Sequence, residues 1–434
     1  MAVRANVRYG LCLVNTIQER ARDTPILAET QVLVVGGGSA GVSAAVASAR
    51  EGAEVMLVER YGQLGGLATG GLIILLLTLD DGDGHQVIGG LCQELVDRLK
   101  RRGATVSPPA AEWNATDPEL LRRYAQWGLV WGKGPHRVRY SVAYDGEEAK
   151  FVLAGMVEEA KVRLLLHAWA CDPLVEDGRV KGVAFQGKSG RFAVLADVVI
   201  DATGDGDLYA LAGSPFEREK VFPWLWFRMG GVDQVAESIA AKGWFFRTPG
   251  EGRVLLPWGA MGRIDRQIDA TDPVDLTYAE VECRKMVMEE AERLKRELPG
   301  FSRSHVCDIA SQLGITESRR LQGEHVLGRE EADREFPDAI AVTGNWTKYA
   351  TTYSIPYRSL LPRELENLLV AGRCISVDHR VHHSTKEIPP CMATGEAAGI
   401  AAAMASSHGQ SVKTIDVDVL RTKLRGRGAI VDRP

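Results

Sequence analysis

Cysteine is scarce in this chain: seven residues in 434, an odd number with no CxxC pair. That excludes a disulfide framework and a zinc site of paired cysteines. It leaves reduced, mostly buried thiols, the cysteine usage of a cytoplasmic protein. A basic surplus is also missing. Lys plus Arg number 52 against 57 Asp plus Glu, a formal charge of −5, so no excess of cations is available to track nucleic-acid phosphates. Long apolar runs are absent too. The greasiest stretch, Leu72–Leu79, ends at Asp80 and Asp81, far short of the about 20 residues that cross a bilayer. Within the first 30 residues the longest apolar run is Leu11–Val14, too short for a secretory leader.

Glycine is the one residue in excess, with 46 copies, about a tenth of the chain against roughly 7% in ordinary proteins. Without a collagen period, such an excess marks places where backbone must approach something closely. The first place is near the N-terminus. Gln31–Val35 reads as a buried parallel strand. It runs into Gly36-Gly37-Gly38-Ser39-Ala40-Gly41, then a small-residue helix Val42–Arg50, Gly52 as a helix stop, and a second strand Glu54–Val58 ending in Glu59. Gly36 permits the tight turn, Gly38 lets backbone reach a diphosphate, and Gly41 lets helix pack on strand. The diphosphate then sits on the amide-rich helix N-terminus. Glu59, 23 residues after Gly36, is placed to accept hydrogen bonds from ribose hydroxyls. Strand, turn, helix, strand and acid in register predict a bound dinucleotide.

NAD and FAD both satisfy that unit, and the rest of the chain separates them. A second glycine cluster, Tyr61–Gly71, follows the second strand directly and suits an extended cofactor. Val162–Ala168 reads as a third parallel strand, and Trp169–Val175, Arg179–Gln186 and Arg191–Leu195 as a meander. The chain returns through Asp197–Ile200 to Asp201–Asp207, and Asn367–Val370 forms another buried strand before Ala371-Gly372-Arg373.

With VVGGGSAGVSAAVASAREGAEVMLVER, GQLGGLATGG, ADVVIDATGDGD, ESRRLQGEHVL, YSIPYRSLLP, ENLLVAGRCIS and PPCMATGEAAGIAAA in that order, the chain resembles the FAD-dependent oxidoreductases of the glutathione-reductase structural superfamily. The likeness runs from about Asp23 to Ser406 and is nearest to the branch called simply FAD-dependent oxidoreductase. It implies an α/β fold: a Rossmann-like FAD-binding domain, a parallel sheet with a β-meander, plus an interleaved α+β substrate domain with a mainly antiparallel sheet. The expected division is 24–71, 146–213 and 364–410 for FAD and 72–145 and 214–363 for substrate, with an extension at 1–23 and a tail at 411–434. The resemblance implies cofactor contact from Gly36, Gly38, Ser39, Ala40 and Gly41, from Glu59 and Arg60, and from Gly65, Gly66, Leu67, Ala68 and Thr69. Further along it implies contact from Ala170, from Ala202, Thr203, Gly204 and Asp205, from Gly372 and Arg373, and from Cys391, Met392 and Ala393.

Two features of the superfamily are missing. The stretch Gly65–Gly71 holds no redox cysteine pair, and no second strand–GxGxxG–helix unit is present for a nicotinamide. The expectation is therefore direct hydride transfer from a small organic substrate (a CH–OH, CH–NH or CH–CH donor) to flavin N5. Oxygen, a quinone or a protein acceptor would reoxidise the flavin. The alternatives are a reductase of C=C or C=N bonds fed from outside, and an FAD-bearing nucleic-acid-modification or interaction protein, which the net charge disfavours.

Three of the nine histidines, His379, His382 and His383, crowd the segment before a helix Met392–Ala405 opened by Pro389-Pro390. In the superfamily such a helix points its N-terminus at the flavin. Histidine suits proton removal as hydride leaves, so these three are the candidate bases. His379, His382, Ser384 and Cys391 match the family pattern, whereas His383 replaces a glycine, Lys386 an arginine and Pro390 a threonine. Arg319 is a candidate substrate-carboxylate anchor, and Tyr353 and Tyr357 candidates to face the ring. Thr277–Leu298 is predicted as an amphipathic surface helix with a Thr277–Glu280 capping box and Val281, Met288, Ala291, Leu294 and Leu298 inward. The expected partners are a small-molecule substrate and an external electron acceptor, without nucleic acid, metal or membrane span; a homo-oligomer is compatible. FAD is expected to be held non-covalently, although a histidine or Cys391 offers chemistry for attachment.

Overall fold

The computed structural model describes residues 17–233, 235, 245–345 and 348–434. Leu11–Val14, Cys12 and Trp244 lie outside them. In chain order the elements that build the site begin with β1 (Ile26–Val35), α1 (Ser39–Arg50), β2 (Val55–Val58), α2 (Gly90–Arg101), α3 (Gly146–Glu159) and β3 (Arg163–Leu165). Next come β4 (Trp169–Glu176), β5 (Arg179–Gly187), β6 (Gly190–Asp201) and α4 (Asp207–Leu211). The second unit contributes β7 (Phe227–Gly230), β8 (Phe246–Arg247), β9 (Val254–Leu256), α5 (Pro273–Glu297) and β10 (His305–Ile309). β11 (Leu368–Val370), α6 (His379–Thr385) and α7 (Ile388–His408) return to the first unit.

The main sheet runs β3-β2-β1-β6-β5-β4, with β11 added on β6. β3, β2, β1, β6 and β11 are parallel, and β4, β5 and β6 form the antiparallel meander. β6 is one strand of 12 residues, where the sequence pattern predicts two pieces. Its first half pairs with β5 and also with β1, and its second half lies between β1 and β11. A single strand thus carries the meander into the buried sheet, and the polar interruption at Asp197 is a surface residue within it. The third strand is shorter than its apolar pattern, Arg163–Leu165 in place of Val162–Ala168.

The second unit is built on the antiparallel sheet β8-β9-β7-β10. The expected strand Val221–Met229 begins only at Phe227; Val221 and Trp224 make isolated bridges instead. Tyr124 and Trp131 are buried with Leu75, Leu129 and Val138 in a satellite core, an ordinary packing role for these aromatics. Residues 90–101, expected in this unit, pack on the helices of the first. Leu91 N–H donates to Glu396 at 2.9 Å and Arg98 pairs with Glu159 at 2.6 Å. The C-terminal residues are anchored too, since Lys423 and Arg427 pair with Glu51 beyond α1 at 2.7 and 2.6 Å.

α5 corrects the predicted helix start. Asp272 is its N-cap, accepting from Val274 N–H at 2.8 Å, and Pro273 opens the first turn, where its missing N–H costs nothing. Thr277 lies one turn inside and donates to Pro273 O at 2.7 Å, while Glu280 binds Arg284 at 2.8 Å. The buried face is Ala279, Cys283, Val287, Ala291 and Leu294. Val281 and Met288, expected inward, are 48% and 45% exposed.

α1 and α7 pack at unusually close range, and glycine is the reason. A Cβ on Gly395 would meet Ala40 O at 2.1 Å, and one on Gly399 would meet Ala44 O at 2.3 Å. Ser48 Oγ donates to Gly399 O at 2.7 Å across the contact. Among the described residues no helix is long and apolar enough to cross a membrane.

Candidate active site

One cavity of about 540 Å³ runs along the C-terminal edge of the parallel strands, a volume within the range of ligand pockets. Gly36, the segments 38–40, 59–60, 66–68, 202–205 and 372–373, and Cys391 all line it. At its centre stands the start of α1. Gly38 is the N-cap and carries no side-chain cap, so the first helical amides, which have no acceptor within the helix, face the cavity. The three signature glycines differ in what surrounds them. A Cβ on Gly36 would meet Ala202 O at 2.4 Å and one on Gly41 would meet Gly36 O at 1.7 Å, but one on Gly38 meets nothing within 4 Å. Gly36 and Gly41 are therefore packed against protein, whereas Gly38 borders open space that a larger side chain would fill. An uncapped helix N-terminus beside such space fits a diphosphate.

Glu59 closes one end. Its Oε2 accepts from Gly37 N–H at 2.6 Å and its Oε1 from Tyr61 N–H at 2.8 Å, which aims the carboxylate and leaves lone pairs for hydroxyl donors. Arg60 lies 5.0 Å from the ring centres of Tyr61 and Trp169, with no carboxylate within ion-pair distance among the described residues. Arg373 is 2.8 Å from Asp205 and also donates to Ile315 O. Asp201, fully buried, accepts from Thr203, Leu208 and Tyr209 and so ties the Asp201–Asp207 loop to α4. Burial pushes the neighbouring Asp207 carboxyl up to about 6, helped by Asp205 and Asp201.

The structure brings only part of the expected set to the cavity. Gly41, Gly65, Thr69, Ala170, Met392 and Ala393 stand outside its lining; Thr69 is buried and donates to Leu64 O at 2.6 Å. His382 is 1% exposed and donates from Nε2 to Arg373 O at 2.9 Å. Its Nδ1 stands 3.6 Å from Glu317, and burial, with Lys386, holds its pKa well below the ordinary value. It reaches the cavity only through Arg373, so direct proton removal by His382 is corrected to a positioning contact. His379 is exposed and pairs with Glu317 at 3.0 Å. His383, also exposed, has its pKa lowered by partial burial and by Lys386. Arg319, the candidate anchor, pairs with Asp207 at 2.9 Å behind the wall. Tyr353 is buried in its strand, and Tyr357 donates to Val412 O at 2.8 Å. Neither lines the cavity.

Sequence reasoning missed the opposite wall. Pro273, Leu276, Thr277, Glu280 and Val281 of α5, with Gln312, Leu313, Ile315 and Thr316, face the cofactor segments across the cavity. The Asp272-Pro273 pair was the available signal, since it moves the helix start back to Pro273 and so brings Pro273 and Leu276 into the helical wall. Lys386, Glu387 and Ile388 line the end formed by α7.

A family model described as FAD dependent oxidoreductase matches residues 31–424. The chain belongs to that family. As an FAD-dependent oxidoreductase it is a flavoenzyme, and the uncapped α1 N-terminus, the Gly38 opening and Glu59 fit FAD. It is 30% identical over 183 residues to digeranylgeranylglycerophospholipid reductase 2 of Methanopyrus kandleri, an overlap of 41% of this chain and 38% of that protein. The p-nitrophenol 4-monooxygenase of Pseudomonas putida shares the fold at 14% identity and a TM-score of 0.51, with 92% and 84% of the two chains covered. A geranylgeranyl bacteriochlorophyll reductase-like protein of Thermoplasma acidophilum aligns over 93% and 84% of the chains at 15% identity and a TM-score of 0.49.

Proposed function

We propose that this FAD-dependent oxidoreductase oxidises a small organic molecule at a CH–OH, CH–NH or CH–CH bond, with oxygen, a quinone or a protein as final acceptor. When bound, FAD supplies a two-electron centre that exchanges hydride at N5. The observation that carries the reading is one cavity lined by both the cofactor segments and the α5 wall, so that a substrate bound there would lie directly against the cofactor. The proposed cofactor unit comprises 24–71, 146–213 and 364–410, and the substrate unit 72–145 and 214–363, of which residues 90–101 pack onto the cofactor unit.

In this reading the Ser39 and Ala40 amides hold the diphosphate and Glu59 the ribose. Arg60 presents its charge beside Trp169, and α5 with residues 312–316 walls the substrate from water. His382 positions the Gly372-Arg373 turn. His383, one turn before Lys386 and Glu387 but not itself among the cavity's lining residues, is the remaining candidate for the substrate proton, and its lowered pKa keeps it neutral and receptive at pH 7. Binding is non-covalent: burial pushes the Cys391 thiol up to about 12, and that thiol already donates to Lys386 O at 3.3 Å.

The test is the visible spectrum of the FAD-loaded protein during anaerobic titration with alcohols, amines, amino acids and hydroxy acids. Bleaching by one class is expected, and acid precipitation should leave the colour in the supernatant. A colourless protein that takes up no added FAD overturns the reading. A second reading, reduction of a double bond with electrons supplied from outside, is favoured by the similarity to the Methanopyrus reductase; bleaching by a reduced donor alone selects it.

A further inference from the structure

Two helix N-termini reach the cavity, and they do not offer the same donors. In α7 the N-cap is Glu387, and the first three helical residues are Ile388, Pro389 and Pro390. Those positions normally present free amides, but proline has no N–H. Ile388 is therefore the one free amide donor there. The next amide, Cys391 N–H, is used on Glu387 O at 3.0 Å, and the Cys391 thiol turns back to the Lys386 and Thr385 carbonyls. The α7 end is a helix N-terminus stripped of most of its hydrogen-bonding capacity.

Cations facing the cavity are Arg60, Arg373 and Lys386. Arg60 is at the Glu59 end, and Arg373 is held by Asp205 and the Ile315 carbonyl. Lys386 directly precedes the α7 N-cap, largely buried, with Nζ 3.0 Å from Glu387 Oε1. With the diphosphate at α1 and the ribose at Glu59, the remaining length of FAD would extend along the cavity toward α7. A hydride brings two electrons and one proton, so a neutral ring gains one negative charge, which must be offset in a site of low dielectric.

We infer that Lys386, rather than the helix amides, offsets the negative charge gained at the α7 end of the cavity, and that Glu387 moderates it. The inference rests on the FAD reading above. Glu387 neutralises part of the ammonium, and the two prolines remove the competing amide donors, so one adjacent ion pair sets how readily the site accepts a hydride.

The test uses FAD-loaded protein and two readouts that need no substrate: the two-electron reduction potential against a reference dye, and sulfite affinity followed at the visible band. Sulfite adds through sulfur to N5 of oxidised flavin and leaves the same negative charge on the ring. Lys386→Met should weaken sulfite binding at least tenfold and lower the potential by about 30 mV for each tenfold, with Lys386→Arg restoring most of both. Glu387→Gln should move both readouts the opposite way. Adding Pro390→Ala to Lys386→Met should recover part of the loss by returning an amide donor. A Lys386→Met protein that retains FAD with both readouts within twofold of the parent overturns the inference. If Lys386→Met fails to hold FAD, Glu387→Gln decides: tighter sulfite binding supports the inference, and unchanged or weaker binding overturns it. A parent protein that takes up no FAD defeats the functional reading instead, so the two failures are distinct.

Discussion

The N-termini of α1 and α7 enter the same cavity and pack against each other, yet they are built on opposite principles. α1 opens with Gly38, Ser39, Ala40 and Gly41, so its amides are free and its entrance is bare of side chains. α7 opens with Glu387, Ile388, Pro389 and Pro390, so its amides are mostly deleted and a lysine–glutamate pair stands at the entrance. The first design suits a permanent anion held through backbone. The second suits a site whose charge changes during turnover, because a side-chain pair can be tuned one residue at a time. The contrast shows that a helix N-terminus is an anion site only to the extent that its first turn retains N–H groups.

Substitutions at α1 should have the largest effect. Gly41→Val drives its side chain into the Gly36 carbonyl and should cost more than about 4 kcal/mol, the exceptional range for one residue, read as loss of soluble protein. Gly38→Val sharpens the point, since its Cβ meets only open space. It should fold with an unchanged melting temperature but bind no FAD; a destabilised protein that still binds FAD would break the distinction within the motif.

α7 should respond to pH. Burial raises the Glu396 carboxyl to about 7 from its ordinary 4.5. Between those values the native state holds a proton that the unfolded chain has released, so this contribution is complete below pH 4.5 and is lost as pH rises through 7. The loss is on the order of 3 kcal/mol. Urea midpoints at pH 5 and pH 8 should show it, and Glu396→Gln should remove it. His382→Ala removes a buried side chain and leaves the partly buried Arg373 carbonyl without its donor, and should cost about 2 kcal/mol, with weaker FAD binding. The smallest effect is expected at His383. The acid limb of kcat/KM should lie below the ordinary histidine value of 6.5, move upward in Lys386→Met, and vanish in His383→Gln.

The same contrast explains what could be read in advance. The strand, glycine turn, helix, strand and acid around Gly36–Glu59 are local, and each is set by the period of apolar residues or by glycine stereochemistry. Two ends of elements were misplaced for local reasons as well. Asp197 interrupts the pattern of β6 without interrupting the strand, and Asp272 caps α5 five residues before Thr277, the predicted cap. The α7 end was harder to read because its roles depend on contacts across the fold. His382 is a candidate base by residue type, but burial and the Arg373 carbonyl make it a support. Lys386 stood out in the sequence only as a departure from the family pattern, and the α5 wall not at all.

The glycine contact between α1 and α7 also bears on how the molecule assembles. Ser48 and Gly399, joined across that contact, are 351 residues apart in the chain, and β1 pairs with the distant β6 as well as with the nearby β2. Contacts of such separation form late and slowly. During synthesis the helix that follows the glycine turn must therefore wait, with its packing face uncovered, until α7 has emerged. FAD capture is then one of the last events of folding, and a ribosome stalled before residue 388 would release a chain with the full dinucleotide motif and no cleft to hold the cofactor.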